Sequence, residues 1–152
     1  MKQKITAMDK LHLMQLIQKE IELNSRNCDL NHIDVLNVRN MSLLFCGKQF
    51  NSNISLWNVS NVTSMRGMFS KSTFNGDISQ WDISGVIDVS DIFYNSSFNQ
   101  NMSKWNVSTV VNMDNMFSFS KFNQDISQWD VSVVTSMNAI IAILCNSRYR
   151  VF

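Results

Sequence analysis

The chain has 152 residues, enough for one ordinary domain with a sizeable buried core. Its 13 Lys+Arg are matched by 12 Asp+Glu and form no basic run, which argues against a nucleic-acid binder or a ligand of anionic membranes. Proline is absent and glycine occurs only four times, so the turns must be built from Asn, Asp and Ser, whose side chains bond to nearby backbone. Three cysteines without a C-x-x-C spacing read as reduced thiols, neither a disulfide framework nor a zinc site.

At the N terminus, Met1-Lys2-Gln3-Lys4 precedes no apolar run of signal-peptide length, because Asp9, Lys10, His12 and Gln15 interrupt it. No stretch approaches the roughly 18 apolar residues of a membrane span. Thr6-Ala7-Met8-Asp9 reads as a helix N-cap. Leu13, Met14, Ile17 and Ile21 then share one helical face. Residues 1–28 are therefore expected to form a capping helix and a connector that cover the exposed end of the domain core.

From residue 29 the chain repeats itself. Trp57, Trp81, Trp105 and Trp129 are each 24 residues apart, as are Phe50, Phe74, Phe98 and Phe122, each followed by Asn. One copy carries its apolar residues at Ile78, Trp81, Ile83, Val86, Val89, Ile92, Phe93 and Phe98. The same eight columns recur from Leu30, from Ile54 and from Met102, and a fifth copy from Ile126 loses phase near its end. Such periodicity marks a repeat array. The alternation in Gln80-Trp81-Asp82-Ile83-Ser84 predicts a short strand with one face buried. Val89, Ile92 and Phe93 are spaced i, i+3, i+4, which predicts a turn or two of helix. Phe98-Asn99-Gln100-Asn101 would return the chain to the next strand.

The expected fold is an α/β repeat: a right-handed, leucine-rich-repeat-like solenoid over residues 29–145. It would have a parallel strand face, short helical turns and the N-terminal capping helix. Residues 146–152 are an irregular tail. Strands of neighbouring units would pair at about 4.8 Å.

The segment Trp57-Asn58-Val59-Ser60-Asn61-Val62-Thr63-Ser64-Met65-Arg66-Gly67-Met68-Phe69 resembles the W-D-V-S-N-V-T-N-M-x-x-M-F signature of the BspA-like leucine-rich repeat surface proteins. Phe74-Asn75-Gly76-Asp77-Ile78-Ser79-Gln80-Trp81 is similar to that family's F-N-x-D-I-S-x-W. The resemblance runs over roughly residues 29 to 138. It implies a bacterial repeat protein often found at the cell surface, with members linked to attachment to host or other proteins. It implies no catalytic residues. Two departures stand beside it: no export or lipidation sequence is visible, and the fifth copy turns into Ile140-Ile141-Ala142-Ile143-Leu144-Cys145.

Several residue columns could carry chemistry. Asp29, Asn53, Asp77, Asn101 and Asp125 form one, and Asp34, Asn58, Asp82, Asn106 and Asp130 another. A calcium site wants converging carboxylates, whereas these alternate with amides. Aspartates on adjacent units would repel by roughly 1 to 3 kcal/mol at about 5 Å. The Trp column shares its strand phase with Val59, Ile83, Val107 and Val131 and is expected in the core. Met65, Met113 and Met137, with Met68 and Met116, are expected as core filling. Cys28, Cys46 and Cys145 fall in different slots, and His12 and His32 have no motif partner for a hydrolase triad. The sequons at Asn58-Val59-Ser60 and Asn106-Val107-Ser108 read as structural.

What remains is the outward strand face, with His32, Leu56, Gln80, Lys104 and Gln128 in its first column. The candidate protein-binding residues are Gln80, Asp82, Ser84, Lys104, Asn106, Ser108, Gln128 and Asp130. The expected function is a non-catalytic protein-binding module, a bacterial surface protein or adhesin. The alternatives are an intracellular scaffold or effector of the same fold, and a truncated fragment without independent function. No metal, cofactor or catalytic residue is expected. The expected partner is a protein, by resemblance a host or matrix protein, with no nucleic acid and no membrane insertion. A thin C-terminal unit would leave a strand edge able to pair with a second copy. The resemblance points to the cell surface, and the missing signal peptide to the cytoplasm.

Overall fold

A computed structural model describes residues 2–140 of the chain. Strand β1 (Ile5–Thr6) comes first, then helix α1 (Lys10–Asn24) and strand β2 (Ile33–Asp34). Asp9 caps α1, its Oδ1 accepting the His12 N–H at 2.8 Å. The cap is thus three residues later than the Thr6 expected from sequence. The helix buries Leu13 and Ile17, one turn apart, while Met14 stands 38% exposed and does not share the buried face. β1 lies parallel to β2, with the Ile5 N–H on the His32 carbonyl at 3.0 Å and the Ala7 N–H on that of Asp34 at 2.8 Å. The Lys10 ammonium donates to the Ser42 carbonyl and ties the start of α1 to the chain beyond β2.

The expected leucine-rich-repeat-like α/β solenoid is corrected. Among the described residues, regular secondary structure amounts to one helix and two strands of two residues each. Gln80–Ser84 holds no strand and Val89–Phe93 no helix; the first is irregular backbone between turns and the second is turns. Parallel pairing between residues 24 apart does occur, but only as isolated bridges such as Asn40↔Ser64, Ser64↔Asp88 and Asp88↔Asn112. These bridges lie beside the stretch expected to be helical, and not where a strand was expected.

The reason is in the backbone donors. Met65, Gly67, Phe69 and Lys71 send their N–H groups to the carbonyls of Asp88, Ser90, Ile92 and Tyr94 at 2.9, 2.8, 2.9 and 2.7 Å. The donors between them fold back: Met68 on Met65, Ser70 on Gly67 and Ser72 on Phe69, at 3.0 to 3.2 Å. Alternate donors therefore bond outward and i→i−3, so neither a strand ladder nor a helical ladder can run on. Each turn needs a left-handed residue. That is Leu43, Gly67, Asp91, Asn115 and Ala139 in one column, and Gly47, Lys71, Asn95 and Phe119 in the other, with φ from 48° to 69°.

Side chains supply the rest of the cohesion. Phe45, Phe69, Phe93 and Phe117 stack in sequence with ring centroids 5.5, 5.7 and 5.8 Å apart. Each also stacks at 3.9 to 4.3 Å on the second Phe of its own unit. The four tryptophans are buried, and each indole N–H donates to a carbonyl 27 residues back: Trp57 to Leu30, Trp81 to Ile54, Trp105 to Ile78 and Trp129 to Met102, at 3.0 to 3.2 Å. Met65, Met68, Met113 and Met116 are fully enclosed. Val131, expected in the core, is 36% exposed, and Met137 is only partly buried. The apolar tail beyond Ile140, Cys145, residues 146–152 and the C-terminal strand edge expected to self-pair lie outside the described residues.

Candidate protein-binding face

The aspartate and asparagine columns are built into turns. In the first, Asp29, Asn53, Asp77, Asn101 and Asp125 each accept the N–H of the residue two positions on, at 2.8 to 3.1 Å. In the second, Asp34, Asn58, Asp82, Asn106 and Asp130 do the same at 3.0 to 3.2 Å. The hydroxyls of Ser60, Ser84 and Ser108 add bonds of 2.6 to 2.7 Å to the same oxygens. Only an acceptor oxygen is required, so Asp and Asn are equivalent here. Either residue can therefore stand at these positions without a cation.

These bonds also set the acidity. The Ser79 N–H, aided by the Ser79 hydroxyl, holds the Asp77 carboxyl below its ordinary value. The Ser84 hydroxyl and then its N–H do the same for Asp82. Ser127 acts through its N–H on Asp125, and Ser132 through its hydroxyl on Asp130. The face therefore keeps its negative charge well into mildly acid solution.

With the backbone fixed by these turns, both the second column of acceptors and the residues between the two columns stand at the surface. Gln80, Asp82, Lys104, Asn106, Gln128 and Asp130 are exposed, while Ser84 and Ser108 are half-buried against their turns. Gln80 and Lys104 meet in one shallow depression of about 250 Å³, together with Asp77, Ser79, Gln100, Asn101 and Ser103. Asp82, Asn106, Gln128 and Asp130 lie outside it. His32, expected to point outward with Gln80 and Lys104, instead packs with 9% of its side chain exposed and its Nε2 3.3 Å from Glu20 of α1. Leu56, in the same column, is 78% exposed.

The turn ladder carries a second depression, of about 610 Å³, which the sequence does not announce. Leu43, Arg66, Lys71, Asp91 and Tyr94 line it around a floor of Gly67 and Ser70. One signal is present in the repeat columns: Tyr94 stands where other units have Cys46, Ser70 and Ser118. Lys71 lies over the Tyr94 ring at 5.9 Å, and Phe119 meets it edge-on at 5.6 Å. An asparagine series also links residues 24 apart: the N–H groups of Asn75, Asn99 and Asn123 donate to the side chains of Asn51, Asn75 and Asn99 at 2.8 to 2.9 Å.

Among the described residues no group of three or more His, Cys, Asp or Glu side chains converges as a metal site would, and no helix is long and apolar enough to cross a membrane. Neither the curated proteins nor the solved structures contain a significant match to this chain. A family model described as "Mycoplasma protein of unknown function, DUF285" matches residues 12–119 and again 74–145. The first match spans well over half of the chain, and the protein belongs to that family.

Proposed function

We propose that this protein is a non-catalytic protein-binding module whose aspartate–asparagine face is the binding surface. The observation behind this reading is the row of exposed, hydrogen-bonding side chains at Gln80, Lys104 and Gln128. One stands per 24-residue unit, on backbone fixed by its own turn bonds. A surface whose main chain is already ordered loses little further entropy on binding. The resemblance to BspA-like surface proteins supports attachment to a host or matrix protein as the purpose of that surface. The face is mostly polar, with Leu56 its most exposed large apolar side chain at 78%, and Leu36 and Val131 less so. Each contact is therefore weak, and strength comes from repetition.

The test is the variant Gln80→Ala/Lys104→Ala/Gln128→Ala. Binding of the labelled chain to a panel of purified extracellular matrix proteins should fall roughly tenfold or more. The melting temperature should stay within about 2 °C, because the side chains removed are exposed. Unchanged binding by a folded variant would remove this face from consideration.

A further inference from the structure

The turn-ladder groove has features that its fold does not need. Leu43 and Phe119 sit at left-handed backbone positions, with φ of 60° and 58°. That conformation is strained for a residue that carries a side chain. Both are also largely exposed, at 58% and 61%, so they recover little by burial. Their column mates Gly67 and Gly47 show that glycine serves at those sites. Strain combined with exposed apolar surface is a reason to look for a ligand. Arg66 and Lys71 stand in the same groove, and among the described residues neither forms an ion pair. Arg66 and Tyr94 in the groove, with Phe119 edge-on to Tyr94 beside it, are anchor types that interfaces favour.

The chain itself carries the complement. The segments 29–36, 53–60, 77–84, 101–108 and 125–132 hold six aspartates against a single lysine, Lys104. Asp77 and Asp82 flank Gln80, and Leu56, the most exposed large apolar side chain, stands in the neighbouring unit of the same face. The two depressions share no lining residue, so both can be engaged at once. Formal net charge is +1, too small to keep copies apart.

We propose that the Arg66–Lys71–Tyr94 groove of one molecule receives the aspartate face of a second copy, with Asp77 and Asp82 meeting the two cations and Leu56 meeting the Leu43–Tyr94 wall. The contact joins two different surfaces, so it is heterologous and adds further copies in an open chain. It rests on the reading of the aspartate–asparagine face as a binding face and names one occupant for it.

Sedimentation velocity over a concentration series tests this, with two variants chosen to fold. In the first, Arg66→Glu/Lys71→Asp reverses the groove; Asp is tolerated at a left-handed position, as Asp91 shows. In the second, Asp77→Asn/Asp82→Asn/Gln80→Lys reverses the face; Asn and Lys already occupy these columns at Asn101, Asn106 and Lys104. The wild type should associate with rising concentration and less so in high salt. Each variant alone should associate roughly tenfold or more weakly. Their mixture should recover association, because reversed groove meets reversed face. A wild type that stays monomeric overturns the proposal, as does association that survives either variant. Binding of poly-L-glutamate by a monomeric wild type would assign the groove to an acidic polymer instead, and also overturns it. Loss of matrix-protein binding in the Gln80/Lys104/Gln128 variant is read in a separate assay. A failure of self-association is thereby distinguished from a failure of the face.

Discussion

Asp82 shows how much one side chain does here. Its Oδ1 takes the Ser84 N–H at 3.0 Å and the Ser84 hydroxyl at 2.6 Å, and both bonds favour the ionised form. Its folded pKa is below the ordinary 3.8, as are those of Asp77, Asp125 and Asp130. For a lowered pKa, the stabilisation is present above the unfolded value and is lost as pH falls through the folded one. Thermal stability should therefore decline as the solution is acidified below about pH 4. Replacing all four by Asn should flatten that decline, since an amide accepts the same bonds at any pH. An unchanged acid limb in the fourfold variant would show that these turns do not carry it. Trp105 offers a second test at this scale. It is 3% exposed and donates to the Ile78 carbonyl at 3.0 Å. Trp105→Ala should cost about 3–5 kcal/mol in a denaturant titration. Trp105→Phe keeps the aromatic packing and removes one of two donors to the Ile78 carbonyl, which still accepts the Trp81 N–H at 3.1 Å, and should cost about 1 kcal/mol. A near-neutral alanine variant would contradict the core assignment.

The turn ladder makes its own prediction at the scale of elements. Gly67 has φ of 59°, and a Cβ there would meet Leu43 Cδ2 at 2.7 Å, whereas a Cβ on Gly47, with φ of 69°, would meet nothing within 4 Å. Gly47→Ala should therefore cost only the left-handed strain, about 1 kcal/mol. Gly67→Ala should cost more, because Leu43 must also move; equal losses in the two melting curves would contradict the packing. These elements also show what the sequence could and could not reveal. The eight apolar columns were legible, because burial leaves its period in the residue types, and from Leu30 to Phe122 they are buried. The exposed positions of Gln80, Lys104 and Gln128 followed from the same phase. The hydrogen-bond pattern did not. Val89, Ile92 and Phe93 have helical spacing, yet Asp91 between them is left-handed and breaks the ladder. In glycine columns such a break is visible, but here Leu, Lys, Asp, Asn and Phe also occupy it. The alternation at Gln80–Ser84 reported inward and outward side chains correctly but says nothing of where N–H groups go. There the Trp81 indole, and not a strand, makes the bond to the preceding unit. The second groove is not legible in sequence because it combines residues from three units, at Leu43, Arg66 and Tyr94.

For the molecule as a whole, cohesion among the described repeat units comes from stacked rings, turn acceptors and alternating donors more than from sheets or helices. The polar face stands on turns that need only Asp, Asn and Ser, which leaves the residues between them free to vary with the partner. In the proposed binding function Gln80, Lys104 and Gln128 would serve contact alone, whereas Asp77 and Asp82 would serve both their turns and the contact. The most direct test of this arrangement is residue-resolved amide hydrogen exchange of the intact chain. The slow amides should be those that bond between units: Met65, Gly67, Phe69 and Lys71, then Val89, Asp91, Phe93 and Asn95. The amides of Asp82 and Asn106, between their turns, should exchange faster. A slow set centred instead on Gln80–Ser84 and Lys104–Ser108 would mean that a paired strand face holds the units together, and would contradict cohesion through the turn ladder.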